Sequence, residues 1–383
     1  MTPYPWLPTL ADLVLRADAA TARLVASRKA DGTPTITLAV TPASGKPRTK
    51  AFSTIDGALC SALAGGFVGA VAATGTLLVH TEVGATMGSQ FAVDEPHGRA
   101  WLGDWGWLRR VDLRDGRVTS LPLGHHPAVR EMVGDGRGGV WLLADEDREA
   151  PTEGFRAPAG AVLRFVVLHC DGERVERRHT IECGREERAA LCLSLSRADD
   201  GTLLIPRRGG FALVDASGAE VRTFAVDAMK YWGPRAALSP SGRRLAYTAG
   251  IGKLALVDLE RDAEVVLELA MDDAMALVVH DDGVVDVSVG TPNWDFLRLD
   301  AGGRIAQVNH RAASYAASPD RRWVYSGGDA WTATEVATGA LREGPIVGAA
   351  RGPKLAVTGE SLYLRTSRGV FQRYARALAA AGA

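Results

Sequence analysis

The chain has 383 residues, of which 46% are hydrophobic and 23% are charged, the balance of an ordinary soluble globular protein. Its formal net charge is −1, so the whole molecule has no electrostatic attraction for nucleic acid or for an acidic membrane surface. This length accommodates one large repeat domain or two to three ordinary domains.

The first 20 residues lack a basic start, and acidic residues interrupt their only apolar stretch, so we expect no signal peptide. No run of about 18 apolar residues exists, and we expect no transmembrane helix. Asn is nearly absent while Ala, Gly and Arg are abundant, which indicates a bacterial, GC-rich genome. We expect helical structure only at 9–16 and 375–383. No C-x-x-C pair is present, which favours reduced thiols in a cytoplasm for the four cysteines, Cys60, Cys170, Cys183 and Cys192.

A unit of four short apolar runs stands in the middle of the chain. The runs are separated by turn residues such as Pro240-Ser241-Gly242, and they occupy 236–238, 244–247, 254–259 and 264–269. Short runs broken by Gly, Pro, Asp and Ser are typical of the strands of an antiparallel meander.

The same layout recurs along the chain. Most successive units are about 40 residues apart, and a period of about 40 to 45 is the signature of a four-stranded propeller blade. The exception is the longer gap that contains the polar insertion 145–160. No segment carries a helical apolar stripe longer than two turns, which disfavours an α/β array. The first turns of the other units fall at Gly98, Gly136, Gly201, Gly283, Asp320 and Gly359.

The sequence therefore predicts an all-β fold, a single β-propeller of four-stranded antiparallel blades. Seven units are clear, and an eighth could begin near Ala51; we favour seven and keep eight open. The last unit has only three strands, so we expect an N-terminal strand, either 35–40 or 76–82, to close the ring. The predicted organisation is an N-terminal extension with the closing strand at 1–45, the propeller at 46–375, and a disordered Ala-rich tail at 376–383.

Two motifs carry a family resemblance. SPSGRRLAY and SPDRRWVY resemble the turn of the TolB-like and surface-layer-like propellers. VDEPHGRAWLG followed by WLRRVDLRDGRV is similar to the strand–turn–strand of lyase and gluconolactonase-like propellers. The resemblance covers most of the chain after about residue 90 and implies a propeller architecture.

In such a propeller one face collects the loops between blades and the loops joining second to third strands, while tight turns occupy the other face. The loop face is richer in Trp and Arg, the residue types enriched at binding hot spots. The candidate binding residues on it are Asp104, Trp105, Trp107, His126, Arg207, Arg208, Tyr231, Trp232, Arg235, Asn293, Trp294, Asp295, His310 and Arg311.

Tryptophans near strand ends also pack between blades. We expect Trp101, Trp141 and Trp323 to do so. For the loop-face tryptophans Trp105, Trp107, Trp232 and Trp294, packing and ligand contact are equally compatible with the sequence.

The sequence contains fewer patterns that indicate catalysis than patterns that indicate binding. Resemblance to propeller lactonases implies a Ca²⁺ in the central channel, and hard oxygen ligands suit such a cation. The residues that could form a mixed site are Glu131, Asp273, Asn309 and His310. There is no G-x-S-x-G elbow, and GDGRGG (134–139) lacks the helix and Lys of a phosphate loop, which favours a tight turn.

The sequence thus favours a non-catalytic binding or scaffold propeller, monomeric on its own and without a cofactor. It would present its Trp- and Arg-rich face to a protein or peptide partner. The alternative is a lactonase, lyase or hydrolase that uses Ca²⁺ or another divalent cation at the central channel.

Overall fold

The chain folds into antiparallel β-sheets. A computed structural model describes residues 13–17, 20–28, 30–31, 33–42, 44–52, 68–72, 77–80, 90–104, 106–113, 118–124, 128–146, 162–184, 191–227, 233–271, 273–289, 295–300, 305–308, 314–327, 330–345, 354–359, 361–365 and 370–375. In these residues no helix is long and apolar enough to cross a bilayer.

Strands precede the repeats at the N-terminus. They are β1 (Leu13–Ala17), β2 (Ala20–Arg28), β3 (Pro34–Thr41), β4 (Arg48–Phe52), β5 (Val68–Ala72) and β6 (Leu77–His80).

Six sheets follow, each made of four consecutive strands. Sheet I comprises β7 (Phe91–Asp94), β8 (Arg99–Asp104), β9 (Trp107–Asp112) and β10 (Val118–Pro122). Sheet II comprises β11 (Ala128–Gly134), β12 (Val140–Asp145), β13 (Val162–Cys170) and β14 (Val175–Gly184). Sheet III comprises β15 (Ser196–Arg197), β16 (Leu203–Arg207), β17 (Gly210–Val214) and β18 (Glu220–Ala225).

The second three sheets repeat this plan. Sheet IV comprises β19 (Ala236–Leu238), β20 (Arg244–Gly250), β21 (Lys253–Asp258) and β22 (Ala263–Glu268). Sheet V comprises β23 (Ala274–Val279), β24 (Val285–Val289), β25 (Phe296–Leu299) and β26 (Ile305–Val308). Sheet VI comprises β27 (Tyr315–Ala317), β28 (Trp323–Gly327), β29 (Ala330–Glu335) and β30 (Leu341–Pro345). The last strands are β31 (Lys354–Val357), β32 (Ser361–Arg365) and β33 (Val370–Ala375).

The last three strands are completed by an N-terminal one. Strand β33 pairs antiparallel with β6, with Val370 opposite His80 and Gln372 opposite Leu78. The order β31-β32-β33-β6 forms what we call the closing sheet. The prediction that an N-terminal strand closes the ring is therefore confirmed at Leu77–His80, outside the range 1–45, whereas 35–40 belongs to β3.

Five further strands continue the closing sheet outward, in the order β6-β5-β1-β2-β3-β4. This extension was not predicted. The helix expected at 9–16 is wrong where the structure describes it, because Leu13–Ala17 pairs as a strand with both β2 and β5. The outermost strand, β4, carries Arg48 and Lys50, and such charges discourage further edge pairing.

The sheets stand side by side around a common centre. First strands of neighbouring sheets touch in the pairs β7–β11, β11–β15, β15–β19, β19–β23, β27–β31 and β31–β7. Phe296 of sheet V packs against Tyr315 of sheet VI, with ring centroids 5.9 Å apart. The contact between β31 and β7 joins the closing sheet to sheet I. The first strands therefore surround a central channel.

The number of blades stays a prediction at seven. The eighth unit expected near Ala51 does not appear as a separate sheet among the described strands, and residues 53–67 lie outside them. The tail 376–383 and most of the insertion 145–160 also lie outside the described residues.

Tight turns join first to second strands at the predicted positions, and we call this end of the ring the turn end. The GDGRGG segment is one of these turns, as predicted. Asp135 Oδ1 accepts hydrogen bonds from the backbone N–H groups of Arg137 and Gly139, at 2.7 and 2.8 Å. Gly136 and Gly138 adopt φ values of 71° and 91°, a region that favours glycine.

The core lies between neighbouring sheets. Trp101 is fully buried between sheets I and II, beside Val129 and Met132. Trp141 packs on the cluster shared by sheets II and III, and Trp323 on the cluster shared by sheet VI and the closing sheet. The expected packing of these three tryptophans between blades is confirmed.

Candidate functional site

The opposite end of the ring, which we call the loop end, carries the starts of the first strands and the connections between second and third strands. Here polar side chains from several sheets meet near the channel. We call the set Gln90, Glu131, Arg235, Lys354 and Arg365 the channel-mouth cluster. Its members come from sheet I, sheet II, the start of sheet IV and the closing sheet.

Arg235 is held by its backbone directly before β19. Its N–H donates to Thr248 Oγ1 at 2.8 Å, and its carbonyl accepts from the Thr248 N–H at 2.8 Å. The Arg235 side chain then reaches sideways. Its Nη1 donates to the Leu193 carbonyl of sheet III at 3.2 Å and lies 3.8 Å from Glu131 Oε2 of sheet II. Sheets II and IV are not neighbours, so these side chains meet across the inner end of sheet III.

Glu131 reaches this position from an irregular strand. The register of β11 against β12 shifts between Val129 and Glu131, so Arg130 is the bulged residue. A bulge re-aims the side chains beside it. Arg130 turns the other way and makes a two-point ion pair with Asp145, Nε to Oδ1 at 2.8 Å and Nη2 to Oδ2.

Lys354 begins the closing sheet and is mostly buried. Its Nζ donates to Gln90 Oε1 of sheet I. Burial lowers the pKa of Lys354; the charge of Glu131 opposes this, while Arg235 and Arg365 add to it. Lys354, Glu131 and Arg235 all stand at or near the start of a first strand, so all three lie at the channel mouth.

Arg365 supports the cluster from behind. Its side chain is almost fully buried at the end of β32, and its Nη1 donates to the carbonyls of Gln90 and Gly103. It thereby ties the closing sheet to sheet I. Gly103 leaves no room for a side chain, because a Cβ there would lie 2.7 Å from the Cβ of Val129.

The cluster carries more positive than negative charge. Arg235, Lys354 and Arg365 face a single carboxylate within the set, that of Glu131. Next to it, burial raises the pKa of the Cys192 thiol to about 11, so this cysteine stays protonated at neutral pH. A cluster with this excess of positive charge attracts an anionic group.

The structure describes only part of the predicted binding face. Asp104 ends β8 and Trp107 begins β9, with Trp107 44% exposed. Arg207 and Arg208 are exposed at the β16–β17 turn, Asp295 is buried before β25, and Arg235 joins the channel-mouth cluster. The residues outside the described part are Trp105, His126, Tyr231, Trp232, Asn293, Trp294, His310 and Arg311.

The structure describes only part of the mixed metal site considered from the sequence. Glu131 lies beside Arg235, Asp273 is fully buried at the start of sheet V, and Asn309 and His310 lie outside the described residues. Among the described residues, no three His, Cys, Asp or Glu side chains group as a metal site would require.

Sequence reasoning missed Gln90, Lys354 and Arg365. Gln90 and Lys354 stand at the starts of first strands, a position that counting strands in each repeat already assigns to the loop face.

Comparisons with known proteins agree on the fold. No family model and no curated protein sequence matches the chain. Among solved structures, virginiamycin B lyase from Staphylococcus aureus matches with a TM-score of 0.59 and 12% identity, over 78% of this chain and 98% of that one. A catalytically inactive variant of that enzyme with quinupristin matches with a TM-score of 0.56 and 13% identity, over 78% and 99%.

A structure of the mitotic checkpoint complex also contains a matching chain. Its TM-score is 0.56 and its identity 13%, over 78% of this chain and 90% of that one. These matches confirm the β-propeller fold. At such identities the likeness concerns the fold alone, because one fold carries many functions.

Proposed function

We propose that this chain is a non-catalytic binding propeller that engages a protein or peptide partner with its loop end. The observation that carries the proposal is Trp107, whose side chain is 44% exposed where β9 starts. Trp101, six residues earlier, is fully buried. Trp is among the residue types most enriched at binding hot spots, so an exposed indole at the loop end marks a candidate contact for a partner.

Two arginines add to this surface. Arg207 and Arg208 are exposed at the same end of the ring, on sheet III. Arg207 pairs with Glu220 at 3.2 Å, but both side chains are about half exposed. Exposed ion pairs contribute little stability, so Arg207 exchanges Glu220 for a partner's acidic group at low cost. The matching propeller in the mitotic checkpoint complex gives further support, since it shows this fold within a multi-protein assembly.

Site-specific crosslinking tests the proposal. The photoreactive residue p-benzoylphenylalanine replaces Trp107 in one variant and Arg261 in a control variant. Arg261 is 80% exposed at the turn end. Irradiation in an extract of the native cells should give a discrete adduct from position 107 and none of that mass from position 261.

A second measurement uses the unlabelled chain. Trp107→Ala should lose co-purification of the crosslinked protein while the variant remains folded at the assay temperature, which circular dichroism checks, because Trp107 lies outside the buried clusters between sheets. Identical adducts from both positions, or undiminished co-purification by Trp107→Ala, would contradict the proposal.

A second candidate function is a divalent-metal-dependent propeller lactonase, lyase or hydrolase with its site at the channel. The observation that favours it is the similarity to virginiamycin B lyase, which extends over 98% of that enzyme's chain. Ca²⁺ or another divalent cation would then bind near Glu131 and Asp273. Calorimetric titration of Ca²⁺ into the chain, with Glu131→Gln and Asp273→Asn as variants, should show binding that both substitutions weaken. Absence of any saturable heat would remove this candidate.

A further inference from the structure

The channel-mouth cluster does not balance its own charge. Glu131 is the one carboxylate of the cluster, and its Oε2 lies 3.8 Å from Arg235 Nη1, which is longer than a hydrogen bond. Among the described residues, the hydrogen-bond partners of the Arg235 and Lys354 side chains are neutral: the Leu193 carbonyl and Gln90 Oε1. Burying cations with so little compensation costs stability, which makes a structural role alone a poor explanation.

Arg235 also keeps one edge of its guanidinium unused. Its Nη1 donates to the Leu193 carbonyl, whereas its Nε is buried and has no hydrogen-bond partner among the described residues. A buried charged donor without a partner is unfavourable, because it has lost its hydration and gained no hydrogen bond. Such unsatisfied groups in folded proteins call for a functional explanation.

The chain itself shows what this edge of an arginine binds. Arg130 holds Asp145 through Nε and Nη2, and Arg298 holds Asp286 through the same two atoms, at 2.6 and 2.9 Å. Nε and Nη2 form the fork that matches the two oxygens of a carboxylate. Arg235 presents the same fork without a carboxylate on its Nε.

We propose that Arg235 and Lys354 form a carboxylate-binding subsite at the channel mouth, with Arg235 supplying the Nε/Nη2 fork and Lys354 a point charge. The proposal rests on the proposed binding function and names the group that a partner would insert. A carboxylate fits better than a metal cation, because the cluster is cationic. The carboxylate comes either from an acidic side chain of a peptide partner or from a free small acid.

Glu131 has a defined part in this subsite. Its carboxylate lies 3.8 Å from Arg235 Nη1 and repels a second negative charge, so it weakens the binding of an incoming anion. The Arg235 Nε is shielded from solvent, so the chain around it must shift slightly as the carboxylate enters. Glu131 and the carboxylate ligand are therefore expected to oppose each other.

Thermal unfolding of the full chain with two probes tests the subsite. The probes are sodium succinate and the blocked peptide acetyl-Gly-Glu-Gly-Glu-Gly-amide, and the controls are sodium chloride at matched ionic strength and the Gln analogue of the peptide. A ligand that binds only the folded chain raises the melting temperature in a saturable way. We expect this rise with at least one acidic probe and with neither control. Stronger binding of the peptide assigns the carboxylate to a peptide, and stronger binding of succinate assigns it to a small acid.

Four variants separate the subsite from general charge effects. Lys354→Met should weaken probe binding at least tenfold. Arg235→Lys keeps the charge but lacks the fork, and it should also weaken binding about tenfold. Glu131→Gln should tighten binding about threefold or more, a gain that a misfolded chain cannot give. Arg164→Gln removes an exposed cation on the outer strands of sheet II and should change binding less than twofold.

The proposal is overturned when no acidic probe binds saturably, or when binding is equal in the wild-type chain, Arg235→Lys and Glu131→Gln. Its failure is distinct from that of the binding function. A partner captured through position 107 with no effect of Lys354→Met would leave the binding function and remove the subsite. Carboxylate binding without any captured partner would do the reverse.

Discussion

The two ends of the ring join neighbouring sheets by different means. At the turn end, short bonds link one tight turn to the next. The Asp199 N–H donates to the Pro240 carbonyl at 2.7 Å, and the Ser241 N–H donates to Asp281 Oδ1 at 2.9 Å. Arg321 then pairs with Asp282 at 2.5 Å. Each of these contacts pairs a donor with an adjacent acceptor, and Arg321 and Asp282 carry opposite charges.

At the loop end, long cationic side chains make the links instead. Arg365 bonds two carbonyls of sheet I, and Arg235 spans sheets II, III and IV. Within the channel-mouth cluster, three cations stand against the one carboxylate of Glu131. The contacts between turns therefore satisfy both of their partners, whereas the Arg235 Nε at the channel mouth has no hydrogen-bond partner among the described residues, which costs stability.

Breaking a balanced pair at the turn end should have the largest effect. Asp286 is nearly fully buried and is held by Arg298 and His280. Asp286→Ala leaves Arg298 buried without its counter-charge, and we expect a loss of about 3–5 kcal/mol in the free energy of unfolding. Denaturant titration measures it. Glu131→Ala at the loop end should cost less, about 1–3 kcal/mol, because Glu131 is partly exposed and its carboxylate lies beyond hydrogen-bond distance of Arg235, at 3.8 Å. Equal losses would break the comparison.

Crowding a turn should have the next largest effect. A Cβ on Gly139 would lie 2.3 Å from Asp135 Oδ2 and 2.4 Å from the Cys170 carbonyl. Gly139→Ala must displace the carboxylate that holds the turn, and we expect a loss of about 1–3 kcal/mol. Gly134→Ala, in the same segment, has open space at its Cβ and serves as the control, with a change within about 0.5 kcal/mol. A tolerated Gly139→Ala would show that the turn is not tightly packed.

A single bond between turns should matter less. Asp281 is exposed, and its carboxylate accepts from the Ser241 N–H of the neighbouring sheet. Asp281→Ala removes that bond, and we expect a loss of about 0.5–1.5 kcal/mol. Differential scanning calorimetry checks it against Glu176→Ala, a surface control whose carboxylate pairs with Arg178 and is 53% exposed. The prediction fails when the control costs as much.

The smallest expected effect is a graded dependence on pH. Burial alone would raise the pKa of Asp286, but the hydrogen bonds and charges of Arg298 and His280 prevail and hold it below its ordinary 3.8. The folded chain therefore keeps this stabilisation above pH 3.8 and loses it as the pH falls through the lower folded value. The difference in unfolding free energy between wild type and Asp286→Asn should narrow in that acidic range. A constant difference down to pH 2 would contradict the lowered pKa.

The sequence predicts the ring well because its signals are local. The strands of sheet IV follow the four predicted runs within three residues, since each run ends at a Gly, Pro or Asp turn. The extension was missed because β1–β5 form no repeat. The Leu- and Ala-containing segment Leu13–Ala17 has helical character of its own, and pairing with β2 and β5 overrides it.

The candidate site was predicted only in part for a different reason. Glu131 and Arg235 were placed on the loop face by counting strands. Their meeting across sheet III depends on the closure of the ring and on the bulge at Arg130, which no local pattern encodes. Lys354 was missed because its contact depends on closure of the ring: its Nζ donates to Gln90 Oε1, which lies at the other end of the repeat array.

Closure by β6 has a consequence for how the protein is made. His80 is synthesised long before its partner Val370. The edge of β6 that faces β5 can pair early, but the edge that faces β33 must wait until Val370–Ala375 has been synthesised. Pairing at such sequence separation is slow, and an exposed strand edge invites wrong associations in the meantime. The five-stranded extension, which forms from nearby residues, therefore gives the nascent chain a sheet that holds β6 in place until β33 is available for pairing.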